Sequence, residues 1–184
     1  MLPLSKNPPS RYPEGPLLKG GKPWWVAKVK SRQEKAFAFD LLKREIEYYL
    51  PMIMKITRRK DNNKPRKSIL PLFSGYVSFC AEQHDARNLF TTNRVSSIIE
   101  VRGQNEFIRQ LNKIYHTIDL KIPIEPVSLA KLELGLEVEV DAGPMRGTRG
   151  KVVKNLSGNK IAIFVEGLGV AVITVDAAMV SSVE

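Results

Sequence analysis

The sequence of residues 141–153, DAGPMRGTRGKVV, decides the fold of the last third of the chain. Its three glycines and three basic residues suggest a phosphate-binding loop, but a P-loop requires the spacing G-x-x-x-x-G-K-[ST]. Counting back from Gly150 and Lys151 puts Met145 where the first glycine belongs, and Val152 stands where a hydroxyl should reach magnesium. The dinucleotide-binding spacing G-x-G-x-x-G fails at Met145 too. We therefore predict that the glycines turn the chain between two strands, where glycine takes positive φ without a clash.

Short runs rich in valine and isoleucine surround this turn throughout residues 135–184, and glycine-containing turns separate them. Closely spaced short strands of this kind are typical of a small β-barrel. The β-branched residues favour strands over helices in the whole region. A helical structure there would contradict this prediction.

Alternating strands and helices are indicated between residues 23 and 120. WWVAKV, residues 24–29, is short and rich in β-forming residues, so it predicts the first strand. Ser31 and Glu34 have the spacing of a capping box, which predicts the start of a helix. Asn105 begins the segment with the clearest apolar stripe at helical spacing. The order strand, helix, strand, strand, helix, strand, helix predicts a four-stranded antiparallel sheet covered by helices, which is an α/β sandwich.

The fold class that we predict is α+β, with four segments along the chain. Residues 1–22 hold five prolines and few large apolar groups, so they are expected to form a disordered tail. Residues 23–120 form the sandwich domain. Residues 121–134 contain two prolines and are expected to be a linker, and residues 135–184 form the barrel.

Charge is distributed unevenly over the 184 residues, whose net charge is +10. The net charge is +3 for residues 1–22, +8 for residues 23–120 and −1 for residues 121–184. A polyanion should therefore bind the first two-thirds of the chain, whereas the last third should face another kind of partner. Residues 55–67, KITRRKDNNKPRK, hold seven basic residues against Asp61. They are either a solvated hairpin loop or a nucleic-acid contact.

The sequence carries no pattern typical of catalysis or metal binding. His84 and His116, the two histidines, have no metal-ligand spacing with a cysteine or with each other, and no G-x-S-x-G motif occurs. We expect no enzyme activity, no cofactor and no metal. Cys80, the single cysteine, is predicted to be a buried apolar filler. Without a membrane-length apolar run or a signal peptide, the protein is expected to be a cytoplasmic monomer that does not bind membranes.

Several segments together match a known family. WWVAKVKSRQEKAF, YYLPM, the basic hairpin, LPLFSGYVSF and VSSIIEV resemble the N-terminal (NGN) domain of the NusG transcription elongation factors. GLEVEVDAGPMRGTRGKVV resembles the KOW motif that opens their SH3-like C-terminal barrel. The resemblance covers about residues 23–184. The two motifs in this order are specific, whereas a KOW motif alone also occurs in ribosomal proteins.

The resemblance implies a protein that binds RNA polymerase and modulates pausing and termination. In the family, an apolar cleft of the N-terminal domain grips the clamp helices of the largest polymerase subunit. The matching positions are Phe73 and Tyr76, with Trp25 on the neighbouring strand; the alternative is that all three are core residues. Ser74 departs from the proline that is usual in this turn, which leaves the shape of the cleft open.

The resemblance extends to specialised antiterminators similar to RfaH, because of the PLF at residues 71–73 and the TTN at residues 91–93. Such members favour processive antitermination and also recognise a nucleic-acid element, either a non-template DNA hairpin or a nascent RNA structure. A housekeeping factor is the alternative. By position, the candidate nucleic-acid contacts are Lys30, Arg32, Arg58, Arg59, Lys60, Lys64, Arg66, Lys67, Thr92 and Arg94.

The KOW domain of relatives contacts either termination factor Rho or a small-subunit ribosomal protein. Met145 and Leu168 occupy the matching positions, and we expect Met145 to lie at an exposed loop tip. Val170 stands where relatives can carry arginine, so the sequence does not decide between these two partners. RfaH-like KOW domains can also refold as a helical hairpin, but the residues here favour strands. The competing function is a KOW-containing RNA-binding or ribosome-associated protein that does not touch polymerase.

Overall fold

Two antiparallel sheets and a β-hairpin contain the strands of the structure. This computed structural model describes residues 7–17, 21–127, 134–153, 160–175 and 179–183. The chain divides into two units, Met1–Glu14 with Lys22–Glu100 and Gly15–Gly21 with Val101–Glu184. The first unit combines a sheet with helices, and the second combines a helix with an all-β sheet. The predicted α+β class is confirmed.

The first unit is built on a five-stranded antiparallel sheet of order β1-β3-β6-β2-β7, and β4 and β5 form a separate hairpin. Its strands are β1 (Arg11–Tyr12), β2 (Trp24–Val29), β3 (Glu47–Tyr49), β4 (Met52–Arg58), β5 (Pro65–Pro71), β6 (Tyr76–Cys80) and β7 (Val95–Glu100). Its helices are α1 (Glu34–Lys43) and α2 (Gln83–Asn88), and a 3-10 turn follows at Leu89–Thr92. Phe37 and Leu41 of α1 are fully buried in one cluster with Val77 and Phe79 of the sheet. This packing is what the apolar side of the predicted helix requires.

The fifth strand, β1, comes from the segment that was predicted to be a disordered tail. The Tyr48 hydroxyl donates a hydrogen bond to the Pro9 carbonyl at 2.9 Å. The Arg11 guanidinium, 5% exposed, lies 3.5 Å from the Glu47 carboxylate. Prolines are compatible with this arrangement because an edge strand pairs on one side only. The prediction of disorder is therefore wrong for residues 9–12.

Helix α1 begins at Glu34 with Gln33 at the N-cap, which makes no side-chain capping bond. The predicted capping box of Ser31 and Glu34 is wrong. Arg32 takes a left-handed conformation, φ +61°, so the chain turns just before the helix and Ser31 does not occupy the capping position. The Glu34 carboxylate is used elsewhere, as described below.

The second unit carries a six-stranded antiparallel sheet of order β13-β9-β10-β11-β12-β8. Its elements are α3 (Gln104–Asp119), β8 (Ile124–Val127), β9 (Leu134–Val140), β10 (Arg149–Val153), β11 (Lys160–Val165), β12 (Gly169–Thr174) and β13 (Val180–Ser182). The prediction of strands rather than helices is confirmed for the described residues after 134. Strand β8 falls inside the predicted linker and pairs with β12, with Val127 opposite Val170.

Helix α3 buries the apolar stripe that the sequence predicted, with Phe107, Leu111 and Ile114 fully buried. By its contacts this helix groups with the C-terminal sheet rather than with residues 22–100. The functional boundaries at residues 23–120 and 135–184 stay predictions.

Candidate functional site

The turn that joins the hairpin to β6 carries two of the three predicted polymerase-binding aromatics. Gly75 has φ +85° and its N–H donates to the Glu34 Oε1 atom at 2.7 Å. The Gly75 carbonyl accepts the N–H of Val29 at 2.8 Å, and the Tyr76 N–H donates to the Phe73 carbonyl at 3.3 Å. Glu34 is 7% exposed, so its carboxylate is a buried acceptor for this turn. The turn is thereby held against both α1 and β2.

Phe73 and Tyr76 differ in how far they reach solvent. Phe73 is 5% exposed and belongs to the core of the unit. Tyr76 is half-buried, and Ser74 between them is exposed. Tyr76 is therefore the member of the pair whose side chain is available to a partner without any rearrangement.

Trp25, the third predicted aromatic, lies on the other face of the sheet. Tyr76 pairs with Lys28, and Trp25 pairs with Phe79. Because side chains alternate along a strand, Trp25 and Lys28, three positions apart, point to opposite faces. The Trp25 indole N–H donates to the Ala81 carbonyl at 2.9 Å, and the ring packs against the core under α1. The structure does not bring Trp25 to the face of Tyr76.

The hairpin of β4 and β5 presents the largest group of predicted nucleic-acid contacts. Arg58, Arg59, Lys60, Lys64, Arg66 and Lys67 are all exposed. The two strands pair from Met52 opposite Pro71 to Arg58 opposite Pro65. The Arg59 N–H donates to the Lys64 carbonyl at 3.0 Å and closes the tip. Six cations of this kind on one exposed ribbon form a surface that attracts phosphates.

Lys30 and Arg32, at the end of β2, are also exposed. The Lys30 Nζ atom donates to the Asn93 Oδ1 atom at 2.6 Å. The backbone N–H of Lys30 donates to the Arg94 carbonyl at 2.8 Å. Residues 92–94 are thus tied to the loop that precedes α1. Lys30 and Arg32 form a second, smaller cationic surface.

Thr92 and Arg94 hold this loop together instead of facing solvent freely. Arg94 forms an ion pair with Asp40 at 2.6 Å and also donates to the Gln33 side chain. The Thr92 hydroxyl donates to the Leu89 carbonyl at 2.7 Å and accepts the Arg94 N–H at 3.3 Å. Both predicted contacts therefore have structural partners in the protein itself.

The residues that position these surfaces are not indicated by any motif in the sequence. Lys35 Nζ donates to the Ile69 carbonyl at 2.6 Å and ties the hairpin to α1. Burial lowers the pKa of Lys35. The bonds of Glu34 to Gly75 and of Lys35 to Ile69 join positions 41 and 34 residues apart, and no local pattern in the sequence indicates either.

The predicted partner contacts of the C-terminal unit are buried. Met145 is 5% exposed, with its sulfur 3.5 Å from the Thr117 hydroxyl of α3, and Leu168 is 6% exposed. The expectation that Met145 lies at an exposed tip is wrong for this structure, because α3 covers it. Gly143 and Gly147 turn the chain there with φ +78° and +79°, as predicted. The prediction is wrong for Gly150, which lies in strand β10.

A comparison with protein families decides the identity. Residues 22–126 match the family described as "NusG: Transcription termination factor nusG". This match covers more than half of the chain. The chain belongs to the NusG family. The family assignment places the protein among the transcription elongation and termination factors.

This NusG-family chain is also similar to solved structures. A solved structure described as "Domain interaction in Thermotoga maritima NusG" is similar over 89% of this chain and 98% of that chain. The sequence identity is 18% and the TM-score is 0.49. A search of the curated proteins found no match.

Within the residues that the structure describes, no helix is long and apolar enough to cross a membrane. Within the same residues, no group of three or more His, Cys, Asp or Glu side chains could hold a metal ion.

Proposed function

We propose that the protein is a transcription elongation factor that binds RNA polymerase and modulates pausing and termination, with processive antitermination favoured. The observation that carries the proposal is the turn of Phe73 and Tyr76, fixed by Glu34, in a chain of the NusG family. A half-exposed aromatic on a rigid turn suits the docking of an amphipathic helical partner. The partner that we assign is the clamp-helix pair of the largest polymerase subunit.

The first unit also contacts nucleic acid in this proposal. The support is the exposed cations of the hairpin together with Lys30 and Arg32. Contacts of this type bind phosphates and position the protein rather than specify sequence. If about four cations are engaged, the logarithm of affinity should fall against the logarithm of salt concentration with a slope of roughly −3 to −4. A slope near zero in a fluorescence titration would count against nucleic-acid binding.

Within the family, we propose a specialised factor similar to RfaH, acting in the cytoplasm as a monomer. The PLF at residues 71–73 and the TTN at residues 91–93 support this assignment. The C-terminal unit, with its near-neutral charge, would contact Rho or a small-subunit ribosomal protein. Because Met145 and Leu168 are buried, they can contact such a partner only after they become exposed.

Polymerase binding is tested by pull-down with purified RNA polymerase. Tyr76→Ala should abolish or strongly reduce binding, since Tyr76 is half-buried and its truncation leaves the core in place. Phe90→Ala is the matched control, because Phe90 is an aromatic residue of the same unit that is 46% exposed. Circular dichroism checks that both variants are folded. Unchanged binding by a folded Tyr76→Ala variant would exclude this surface.

An RNA-binding or ribosome-associated protein is the second candidate function, and the exposed cationic hairpin favours it. It predicts association with ribosomal subunits or RNA and no retention of polymerase. The same pull-down, probed for polymerase and for ribosomal RNA, separates the two functions. Retention of ribosomal RNA alone by the wild-type protein would support the second candidate.

A further inference from the structure

The hairpin of β4 and β5 has one face that is apolar at its centre. In an antiparallel ribbon, directly paired residues lie on the same face, and successive pairs alternate between the two faces. Three pairs that are two positions apart along β4 therefore share one face, which we call the Met54 face. It consists of Met54 with Ile69, Ile56 with Lys67, and Arg58 with Pro65.

The Met54 face carries two large apolar side chains in solvent. Met54 is 59% exposed and Ile56 is 61% exposed. On the opposite face, Lys55 pairs with Ser68, which is only 6% exposed, so protein covers that face near the base of the hairpin. Contiguous exposed apolar side chains mark interaction surfaces, whereas isolated ones are common on any protein. The Met54 face is therefore the side of the hairpin on which a partner can bind.

The core of the first unit does not account for these two side chains. Met52, two positions before Met54 on β4, is half-buried and packs against the core. Met54 and Ile56 continue its row away from the core, where the fold buries neither of them. Their apolar character is thus not explained by folding of the first unit.

Cations lie next to the exposed apolar pair. Lys67 is directly opposite Ile56, Arg58 follows two positions later, and both are exposed. Residues 55–67 hold seven basic residues, and Asp61 is their single acidic residue. A partner that covers the apolar pair must therefore carry carboxylates to match these cations. A nucleic-acid backbone would match the cations but would leave Met54 and Ile56 without an apolar partner.

The spacing of the apolar pair suits a helical partner. Residues two apart on a strand are separated by about 6.6 Å, and one turn of an α-helix rises about 5.4 Å. Two successive turns of a helix that lies along β4 can therefore contact Met54 and Ile56. Because both side chains lie on the face of the ribbon, such a helix binds over it and does not extend the sheet at an edge. The unbranched methionine side chain adapts to the surface that it meets.

We propose that the Met54 face binds an acidic amphipathic helix of a partner protein. Met54 and Ile56 contact the apolar stripe of this helix, and Arg58 and Lys67 pair with its carboxylates. The inference goes beyond the proposed function, because neither the contact through Tyr76 nor a phosphate contact uses the two apolar side chains. It also assigns two of the hairpin cations to a protein partner.

Two designed peptides of about 20 residues serve as probes for this surface. Both carry leucines at helical spacing, and the remaining positions hold glutamates in one peptide and lysines in the other. Fluorescence anisotropy with the full-length protein measures binding. The glutamate peptide should bind, and the lysine peptide should not, because it brings like charges to the cations. No binding of the glutamate peptide, or equal binding of both peptides, would overturn the proposal.

The apolar contact is tested by Met54→Gln combined with Ile56→Thr, which keeps the length or β-branching of each side chain. This double variant should bind the glutamate peptide at least about tenfold more weakly. Leu136→Thr is the matched control, because Leu136 is an apolar residue of β9 that is 73% exposed. It should bind like the wild type. Unchanged affinity of the double variant would show that charge alone holds the peptide, which would overturn the proposal.

The position of the cations is tested by two double variants with equal charge loss. Arg58→Ala with Lys67→Ala removes two cations from the Met54 face. Lys60→Ala with Lys64→Ala removes two from the turn beyond the last strand pair. The first should lose about tenfold more affinity for the glutamate peptide than the second, because its cations lie beside the apolar pair. Equal losses would leave only general attraction between charges and would overturn the assignment.

Nucleic acid is tested as the competing ligand of the same surface. The variant Met54→Gln with Ile56→Thr should bind mixed-sequence duplex DNA and single-stranded RNA like the wild type. A loss of nucleic-acid affinity as large as the loss of peptide affinity would assign the Met54 face to nucleic acid and overturn the proposal. Urea denaturation followed by tryptophan fluorescence checks that the first unit is folded. Polymerase pull-down with Tyr76→Ala uses none of these probes, so a failure of the proposed function is recognised separately.

Discussion

At the scale of single residues, the glycines near the first turn of the C-terminal sheet have different physical roles. Gly147 has φ +79°, and a Cβ atom placed there would meet nothing within 4 Å. Gly150 lies in β10, where a Cβ atom would lie 2.4 Å from the Ile161 Cγ2 atom and 2.5 Å from the Ala162 carbonyl oxygen. Gly147 is thus required for its backbone conformation, and Gly150 for the close approach of β11.

Alanine substitutions should separate these two roles. Gly147→Ala should lower the free energy of unfolding by about 1 kcal/mol, the cost of a left-handed alanine. Gly150→Ala should lower it by about 3 kcal/mol, because the backbone of β11 must move. Hydrogen exchange of the backbone amides in β9 to β12 measures both losses of stability. Tryptophan fluorescence is not suited to this, because Trp24 and Trp25 lie in the other unit. Equal effects of the two substitutions would contradict the distinct roles.

Tyr48 links the alkaline stability of the first unit to strand β1. Burial raises the pKa of Tyr48 to about 12, from 10.0 for a free phenol. The folded protein therefore holds this proton more tightly than the unfolded chain, so the stabilisation is complete below pH 10 and is lost as pH rises from 10 through 12. Burial also raises the pKa of Cys80 to about 12, so the two groups titrate in an overlapping range.

Comparison with a Tyr48→Phe variant separates the contribution of Tyr48 to this pH dependence from that of Cys80. At pH 8 the variant should be about 1 kcal/mol less stable, because the hydrogen bond to the Pro9 carbonyl is lost. Between pH 10 and 11 the wild-type protein should lose stability faster than the variant, so the difference shrinks. Urea denaturation followed by tryptophan fluorescence measures it. A difference that stays constant from pH 8 to 11 would contradict this linkage.

At the scale of secondary-structure elements, α1 positions the turn that presents Tyr76. Glu34→Ala removes the acceptor of the Gly75 N–H, which should cost about 1 to 3 kcal/mol of unfolding free energy and weaken polymerase binding. Glu34→Gln keeps an acceptor oxygen and should restore most of both properties. Denaturation and pull-down are measured on the same preparations. If Glu34→Gln behaves like Glu34→Ala, the hydrogen bond does not position the turn.

The sequence predicts elements well where the pattern is local. The strand at residues 24–29 and the apolar stripe of α3 follow from spacing along the chain. Strand β1 could not be predicted from local sequence. It forms by backbone pairing with β3, more than 30 positions further along the chain, and backbone pairing leaves no pattern of residue types in β1. The separation of Trp25 from Tyr76 depends on strand register, which residue types do not specify. The cationic residues of the hairpin were predicted from the sequence. Which of them share a face of the hairpin depends on how β4 pairs with β5.

At the scale of the whole molecule, the net charge is unevenly distributed, so the basic and the near-neutral segment are expected to bind different kinds of partner. The net charge is +8 for residues 23–120 and −1 for residues 121–184. Raising the salt concentration should weaken nucleic-acid binding by residues 23–120 steeply. It should leave a contact through Tyr76 largely unchanged, because that side chain is uncharged. Titration of DNA and of polymerase at increasing salt measures both dependences. Equal salt dependence of the two would mean that polymerase binding is itself electrostatic.

In vitro transcription on a template with a pause site and a terminator tests the central claim most directly. The wild-type protein should change the pause lifetime and the fraction of terminated transcripts, with increased read-through if it is an antiterminator. Folded Tyr76→Ala should have no such effect, and Phe90→Ala should act like the wild type. No effect of the wild-type protein on pausing or termination, or an undiminished effect of Tyr76→Ala, would contradict the claim that it acts by binding polymerase through this turn.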